Sequence, residues 1–142
     1  MQYIYPEHFE EKIDFDRIRK MLSNKCLSTM GNEWVNELHF QHNFDKILNQ
    51  LDEVNEFYRI INEHDNFPSN NFYDLREVLS RISIEGRYME PAELFDLKRS
   101  LEAVRAIVQF FDKQDEDIFP LLKKKIKRIR IFPLIYEKID LI

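Results

Sequence analysis

Between Pro91 and Phe111 the apolar residues Leu94, Leu97, Leu101, Val104, Val108 and Phe111 alternate by three and four without a miss. That rhythm belongs to one face of an α-helix. Pro91 suits a first helical position, where its missing N–H costs nothing. A second stripe, Phe95, Ala106, Ile107 and Phe110, widens the apolar surface beyond the narrow ridge of a two-stranded seam. A helix apolar on two sides belongs in the middle of a bundle; a dimerising coiled-coil seam is the alternative.

The rest of the chain repeats this theme. Phe15, Ile18, Leu22 and Cys26 share a face, and Ser28 then offers a side-chain oxygen to the free amides of a new first turn. Met30, Trp34 and Leu38 follow on that second helix. Gly31, at the third position of its first turn, suggests a close approach by another backbone or a bulky ring. After Asn43, a plausible N-cap, Ile47, Leu51, Val54, Tyr58 and Ile61 hold a 3.5-residue rhythm, with Asp52, Glu53 and Glu56 largely away from it. This third helix is about 20 residues, or about 30 Å, long. Pro68 ends it and HDNFPSNN reads as a loop. Asp74 and Glu77 have capping-box spacing for a short helix carrying Leu75, Val78, Leu79 and Ile82. Strand-like alternation is confined to a few residues around Ile82 to Tyr88, and Gly86 marks a turn. Ile118 to Ile131 gives a short basic helix, and Pro133 opens a last one with Ile135, Ile139 and Ile142 on a face.

These segments predict an all-α fold: one antiparallel bundle of about seven helices, residues 1–142 as a single domain, with the Pro91 helix at its centre. Only two glycines among 142 residues, with 44% hydrophobic and 33% charged residues, argue the same way. The chain is long enough to bury a core of its own. Its amino terminus, MQYIYPEHFEEK, is neither basic nor continuously apolar. With no apolar run of spanning length, the expectation is a cytoplasmic protein without membrane contact. The lone Cys26 cannot form an internal disulfide and reads as a buried, reduced thiol. The last helix ends in apolar residues without a C-cap at Ile142, which reads as a piece of a larger protein.

Four segments carry a resemblance in their order and spacing: FDRIRKMLSNKCLSTMGNEWVNEL, NFDKILNQLDEVNEF, DLREVLSRISIEGRYMEPAELFDLKRSLEAVR and FPLIYEKIDLI. Together they resemble the N-terminal core segment of MutS-family proteins, in the subfamily that lacks a mismatch-recognition domain and is associated with suppression of recombination and endonuclease activity. The resemblance covers nearly the whole chain. It implies a non-catalytic core module of a DNA-binding ATPase of DNA repair or recombination control. Full-length relatives act on branched or duplex DNA as homodimers and use ATP and Mg. They carry a nuclease domain at the far C-terminus, and some act on stalled ribosomes. None of those active parts is implied for these residues. A stand-alone helical protein-interaction module is the alternative reading.

Catalytic chemistry has little to stand on. No GxxxxGK[ST] is present, and two isolated glycines cannot wrap backbone amides around phosphates, so no cofactor is expected here. His39 and His42, with Glu37 near them, have metal-ligand spacing but fall where a helix ends, and His8 and His64 are remote; surface histidines fit better than a metal site. The pairs Glu10–Glu11 and Asp115–Asp117 read as solvated helix and loop ends, since neither has a partner acid or base at a fixed distance.

One charge feature stands out. In KKKIKRIR, residues 123–130, six of eight residues are basic, with Ile126 and Ile129 spaced to anchor the segment. One reading is cations stabilised by a helix C-terminus. The other is a sequence-independent phosphate-contacting patch of Lys123, Lys124, Lys125, Lys127, Arg128 and Arg130. A net charge of −5 works against strong binding to DNA by the chain alone.

Overall fold

The computed structural model describes residues 7–141. The amino-terminal residues 1–6 and the terminal Ile142, on which the readings of the two chain ends rest, lie outside that range. The described residues form eight α-helices and no strand, confirming the all-α class: α1 Phe9–Lys12, α2 Phe15–Ser23, α3 Thr29–Asn36, α4 Phe44–Glu63, α5 Arg76–Ile82, α6 Pro91–Asp112, α7 Pro120–Ile126 and α8 Pro133–Ile139. The extra helix relative to the sequence expectation is the single turn α1. The chain divides into two compact units, residues 1–42 and 43–142.

In the first unit, the Ser28 hydroxyl accepts the Gly31 N–H at 3.0 Å, the cap that starts α3. Gly31 is not crossed by a ring or a second backbone. A Cβ placed there would meet Ser28 Oγ at 3.4 Å and Cys26 Cβ at 3.6 Å, an ordinary contact within the cap itself. Cys26 lies beyond the end of α2 rather than on its face; half-exposed, its thiol donates to Leu22 O at 3.4 Å. Arg19 ties the unit together. Its guanidinium donates to Glu10 at 2.7 Å, to Asp16 at 2.6 Å and to Leu38 O at 2.8 Å. Glu10 also accepts the Phe40 N–H at 3.2 Å. The bond from Arg19, with smaller help from Phe40, holds the Glu10 carboxyl below the ordinary glutamate range. Glu10 is therefore a tie between α1, α2 and the segment after α3, not a solvated end.

In the second unit, Asn43 caps α4 by accepting the Lys46 N–H at 2.9 Å, and the helix runs 20 residues to Glu63, ending before Pro68 is reached. The capping box read at Asp74 is displaced. Helix α5 starts at Arg76, and Asp74 instead accepts the Arg76 N–H at 3.2 Å and pairs with that residue's own guanidinium. The capping contact appears on α6, where the Glu93 side chain accepts the Glu90 N–H at 2.9 Å and also receives Arg81 of α5. Pro91 takes the first helical position as the sequence expects, and Gly86 sits in the preceding turn at φ +80°, a conformation most side chains resist.

The core of this unit is aromatic. Ile60, Phe111 and Phe119 are buried, with Phe67, Ile107, Phe110, Ile118, Leu122 and Ile126 packed on them. Phe67, Phe110, Phe111 and Phe119 meet edge to face with centroids 5.1–6.4 Å apart, the geometry aromatic quadrupoles prefer. Helix α6 contributes Ala103 and Phe111 to the buried set, while Leu101 and Val104 are only half-buried and Phe95 is exposed. Helix α6 packs against α7 and α8, and α4 packs against α7. Tyr136 anchors α8 by donating its hydroxyl to Leu101 O at 2.5 Å.

Helix α4 turns the unexpected way. Its rhythmic stripe faces solvent, with Val54 at 65% and Tyr58 at 66% exposure, whereas Glu56 is 8% exposed and Ile60 fully buried. Glu56 explains the orientation. Its two carboxylate oxygens accept the N–H groups of Leu121 at 3.1 Å and Leu122 at 2.9 Å, in the first turn of α7. Those amides have no partner within their own helix, so a buried carboxylate and an orphaned helix start satisfy each other. Glu56→Ala should lower unfolding stability by about 2–4 kcal/mol, against about 0.5 kcal/mol or less for the exposed Leu134→Ala, as read by urea denaturation.

Candidate nucleic-acid interface

The basic run straddles the end of a helix shorter than its sequence suggests. Helix α7 stops at Ile126, and Lys127 to Arg130 continue in a turn closed by Arg128 N–H to Lys125 O at 3.1 Å and Ile129 N–H to Ile126 O at 2.9 Å. Lys123, Lys124 and Lys125 occupy the last turn of α7, where the partial negative charge of the carbonyl end favours cations.

The six basic residues do not form one surface. Lys123 is 6% exposed, and its ammonium donates to Gln114 O at 2.6 Å. The ammonium also lies 3.9 Å from Glu116. Lys125 pairs with Glu53 of α4 at 2.5 Å, beside the Glu56 contact on the same helix face. Lys127 pairs with Glu116 at 2.9 Å. The Lys127 hydrogen bond, then the nearby charge of Lys123, holds the Glu116 carboxyl below the ordinary glutamate range. Lys127 is thus engaged at neutral pH and released as pH falls through that lowered value. Lys124, Arg128 and Arg130 are exposed and pair with no carboxylate among the described residues. Ile129 and Phe132, exposed beside them in sequence, add apolar surface to the same stretch.

The other candidates resolve into local contacts. Gln41 Nε2 lies 3.1 Å from His39 Nε2, and His39 Nδ1 lies 2.8 Å from Glu37 O. His42 packs edge-on to Phe40, His8 lies 3.5 Å from Glu11, and His64 packs against Phe110 and Phe119. Among the described residues, no group of three or more His, Cys, Asp and Glu side chains is placed to hold a metal ion. No helix of the described residues is long and apolar enough to cross a membrane. Neither glycine forms a phosphate cradle: Gly31 gives its N–H to Ser28, and Gly86 sits in an open turn. Sequence reasoning missed Glu53 and Glu116 as the acids that engage this segment, and Glu56 as the acceptor for the amides just before it. Only the local partner, Glu116, lay close enough in sequence to be suspected.

Comparison with known proteins gives the chain its relatives. It is 31% identical over 130 residues to the endonuclease MutS2 of Alkaliphilus oremlandii (strain OhILAs), a match covering 91% of this chain and 16% of that protein. The chain is similar to endonuclease MutS2 proteins. The MutS2 of Alkaliphilus metalliredigens (strain QYMF) is 26% identical over 130 residues, and that of Geobacillus sp. (strain WCH70) 25%, each with 16% of its length covered. The chain therefore spans about a sixth of the length of these curated relatives. No family model matches it, and no solved structure does.

Removing the paired acids should unmask the cations. The double replacement Glu53→Gln and Glu116→Gln should strengthen retention on a phosphate-bearing cation exchanger beyond what an equal charge change at Asp45 and Glu137 produces. Equal retention of the two variants would show that the pairing does not mask the segment.

Proposed function

We propose that this chain is a non-catalytic helical core module of a MutS2-like DNA-acting ATPase that works in DNA repair or recombination control. Its role is mechanical, linking DNA-clamping helices to an ATPase domain outside these residues. The observation that carries the reading is the alignment of nine tenths of the chain with endonuclease MutS2 proteins about six times its length. ATP, Mg, the nuclease activity, the homodimer and any ribosomal target belong, in this reading, to the full-length protein.

The fold agrees with a supporting role. Many large apolar side chains are exposed, among them Phe132, Leu134, Ile135 and Leu141 on and around α8, a surface suited to burial against further helices. A reading frame that continues past Ile142 into a long helix and a P-loop supports the proposal. A stop codon there sinks it and favours the second reading, a helical protein-interaction module, for which the outward stripe of α4 speaks.

The basic segment is at most an auxiliary phosphate contact. With Lys123 buried and Lys125 and Lys127 in surface ion pairs within the chain, Lys124, Arg128 and Arg130 remain unpaired for phosphates, each contributing about one unit to the log–log salt slope. The 142-residue chain should bind duplex or branched DNA no tighter than about 10⁻⁴ to 10⁻⁶ M at about 150 mM salt. Glutamate at Lys124, Lys127, Arg128 and Arg130 should abolish that binding. Fluorescence anisotropy showing nanomolar affinity, or binding indifferent to the four replacements, would contradict a mechanical role.

A further inference from the structure

A cleft of about 310 Å³ opens where the end of α4 meets the end of α6. His64, Asn66, Gln109 and Lys113 line it, and their side chains make no hydrogen bond or ion pair among the described residues. His64 is held in place all the same, its ring packed at right angles to Phe110 at 5.2 Å and against Phe119 at 6.0 Å. Pro68, Ala106 and Phe110 supply an apolar wall.

The charge of the cleft has one sign. No Asp or Glu lines it in a chain that carries 26 of them, whereas Lys113 brings an ammonium. The carbonyl end of α6, which repels an anion when bare, is occupied. Phe111 O accepts the Gln114 N–H at 3.2 Å, Phe110 O accepts the Gln114 side-chain amide at 3.4 Å, and Gln114 O accepts the buried Lys123 ammonium at 2.6 Å. An ammonium and two side-chain amides with free N–H groups suit an oxyanion. The cleft is far larger than a bare oxyanion needs and falls within the range of small-molecule sites, about 300–1,000 Å³. Asn66 and Gln109 select the body of the ligand. A side-chain amide offers a donor and an acceptor side by side, the pair that matches the edge of a nucleobase. A simple aliphatic or aromatic carboxylate leaves those acceptors unpaired.

We infer that this cleft binds a nucleotide through a single phosphate, the phosphate on Lys113 beside His64 and the base on the amides of Asn66 and Gln109 against Ala106 and Pro68. The site includes none of Lys124, Arg128 and Arg130, and it does not rest on the proposed function. A free nucleotide and the phosphorylated end of a strand present the same groups. Two-dimensional amide NMR of the 142-residue chain tests the site, with AMP, adenosine, inorganic phosphate and a 5′-phosphorylated single-stranded tetranucleotide titrated separately at about 150 mM salt. AMP should shift the signals of Asn66, Gln109 and Lys113 with a Kd below about 1 mM. Adenosine and phosphate, each filling part of the cleft, should bind at least tenfold more weakly. Lys113→Gln should weaken AMP at least fivefold and leave adenosine unchanged. Ala106→Leu, which fills the apolar wall, should abolish binding of both with helicity unchanged by circular dichroism, and Lys138→Gln, the same charge change on α8, should alter nothing. The same signals moving at lower concentrations of tetranucleotide than of AMP support the site with a strand end as its ligand, and the reverse order supports it with the free nucleotide. No saturable shift up to about 5 mM AMP, phosphate binding as tightly as AMP, shifts confined to Lys124–Arg130, or AMP binding that survives Lys113→Gln would each overturn the proposal.

Discussion

The carboxylate of Glu56 does the work of a helix cap from another helix. The start of α7 carries amides that nothing in its own backbone can satisfy, and Pro120, at the first position, supplies no side-chain acceptor. Glu56, 65 residues earlier, fills that need with both oxygens. Burying a carboxylate is costly unless it is well bonded, and here two amide donors and the positive end of the helix offset the cost. Once Glu56 points inward, Glu53 and Ile60 follow it by helical geometry, Glu53 meeting Lys125 and Ile60 entering the aromatic core.

The same constraint explains the surface. A 20-residue amphipathic helix ordinarily buries its apolar stripe, and α4 instead presents Leu51, Val54, Tyr58 and Ile61 to solvent. The basic segment is likewise less cationic than it reads. Lys125 is drawn to α4, Lys127 to Glu116, and Lys123 is folded under the end of α6 to reach Gln114. What a linear count presents as six phosphate-binding cations is, in space, three unpaired ones, two in surface ion pairs and one, Lys123, that is buried.

Much of the local structure was legible in the residues. Ser28 and Asn43 cap where their side chains say they should, Pro91 opens α6, Gly86 turns at positive φ, and the lengths of α4 and α6 follow from uninterrupted periodicity. The direction in which α4 faces was not legible. Apolar period alone favours the wrong face, because the deciding interaction joins residues 65 apart and leaves no spacing to read. The Asp74 cap failed for a related reason: Arg76 offers Asp74 both a backbone N–H and a guanidinium, and that local pairing replaces the box with Glu77. The candidate interface was half legible, since composition revealed the basic run but not its internal partners.

Amide hydrogen exchange at Leu121 and Leu122 tests the central claim most directly. First-turn amides without an acceptor exchange almost as fast as in an open chain, so protection there requires an acceptor from outside the helix. Both amides should be protected in the parent chain and lose that protection selectively in Glu56→Ala, while amides in the middle of α6 stay slow. Fast exchange at Leu121 and Leu122 in the parent chain, or protection that survives removal of the carboxylate, would contradict the account.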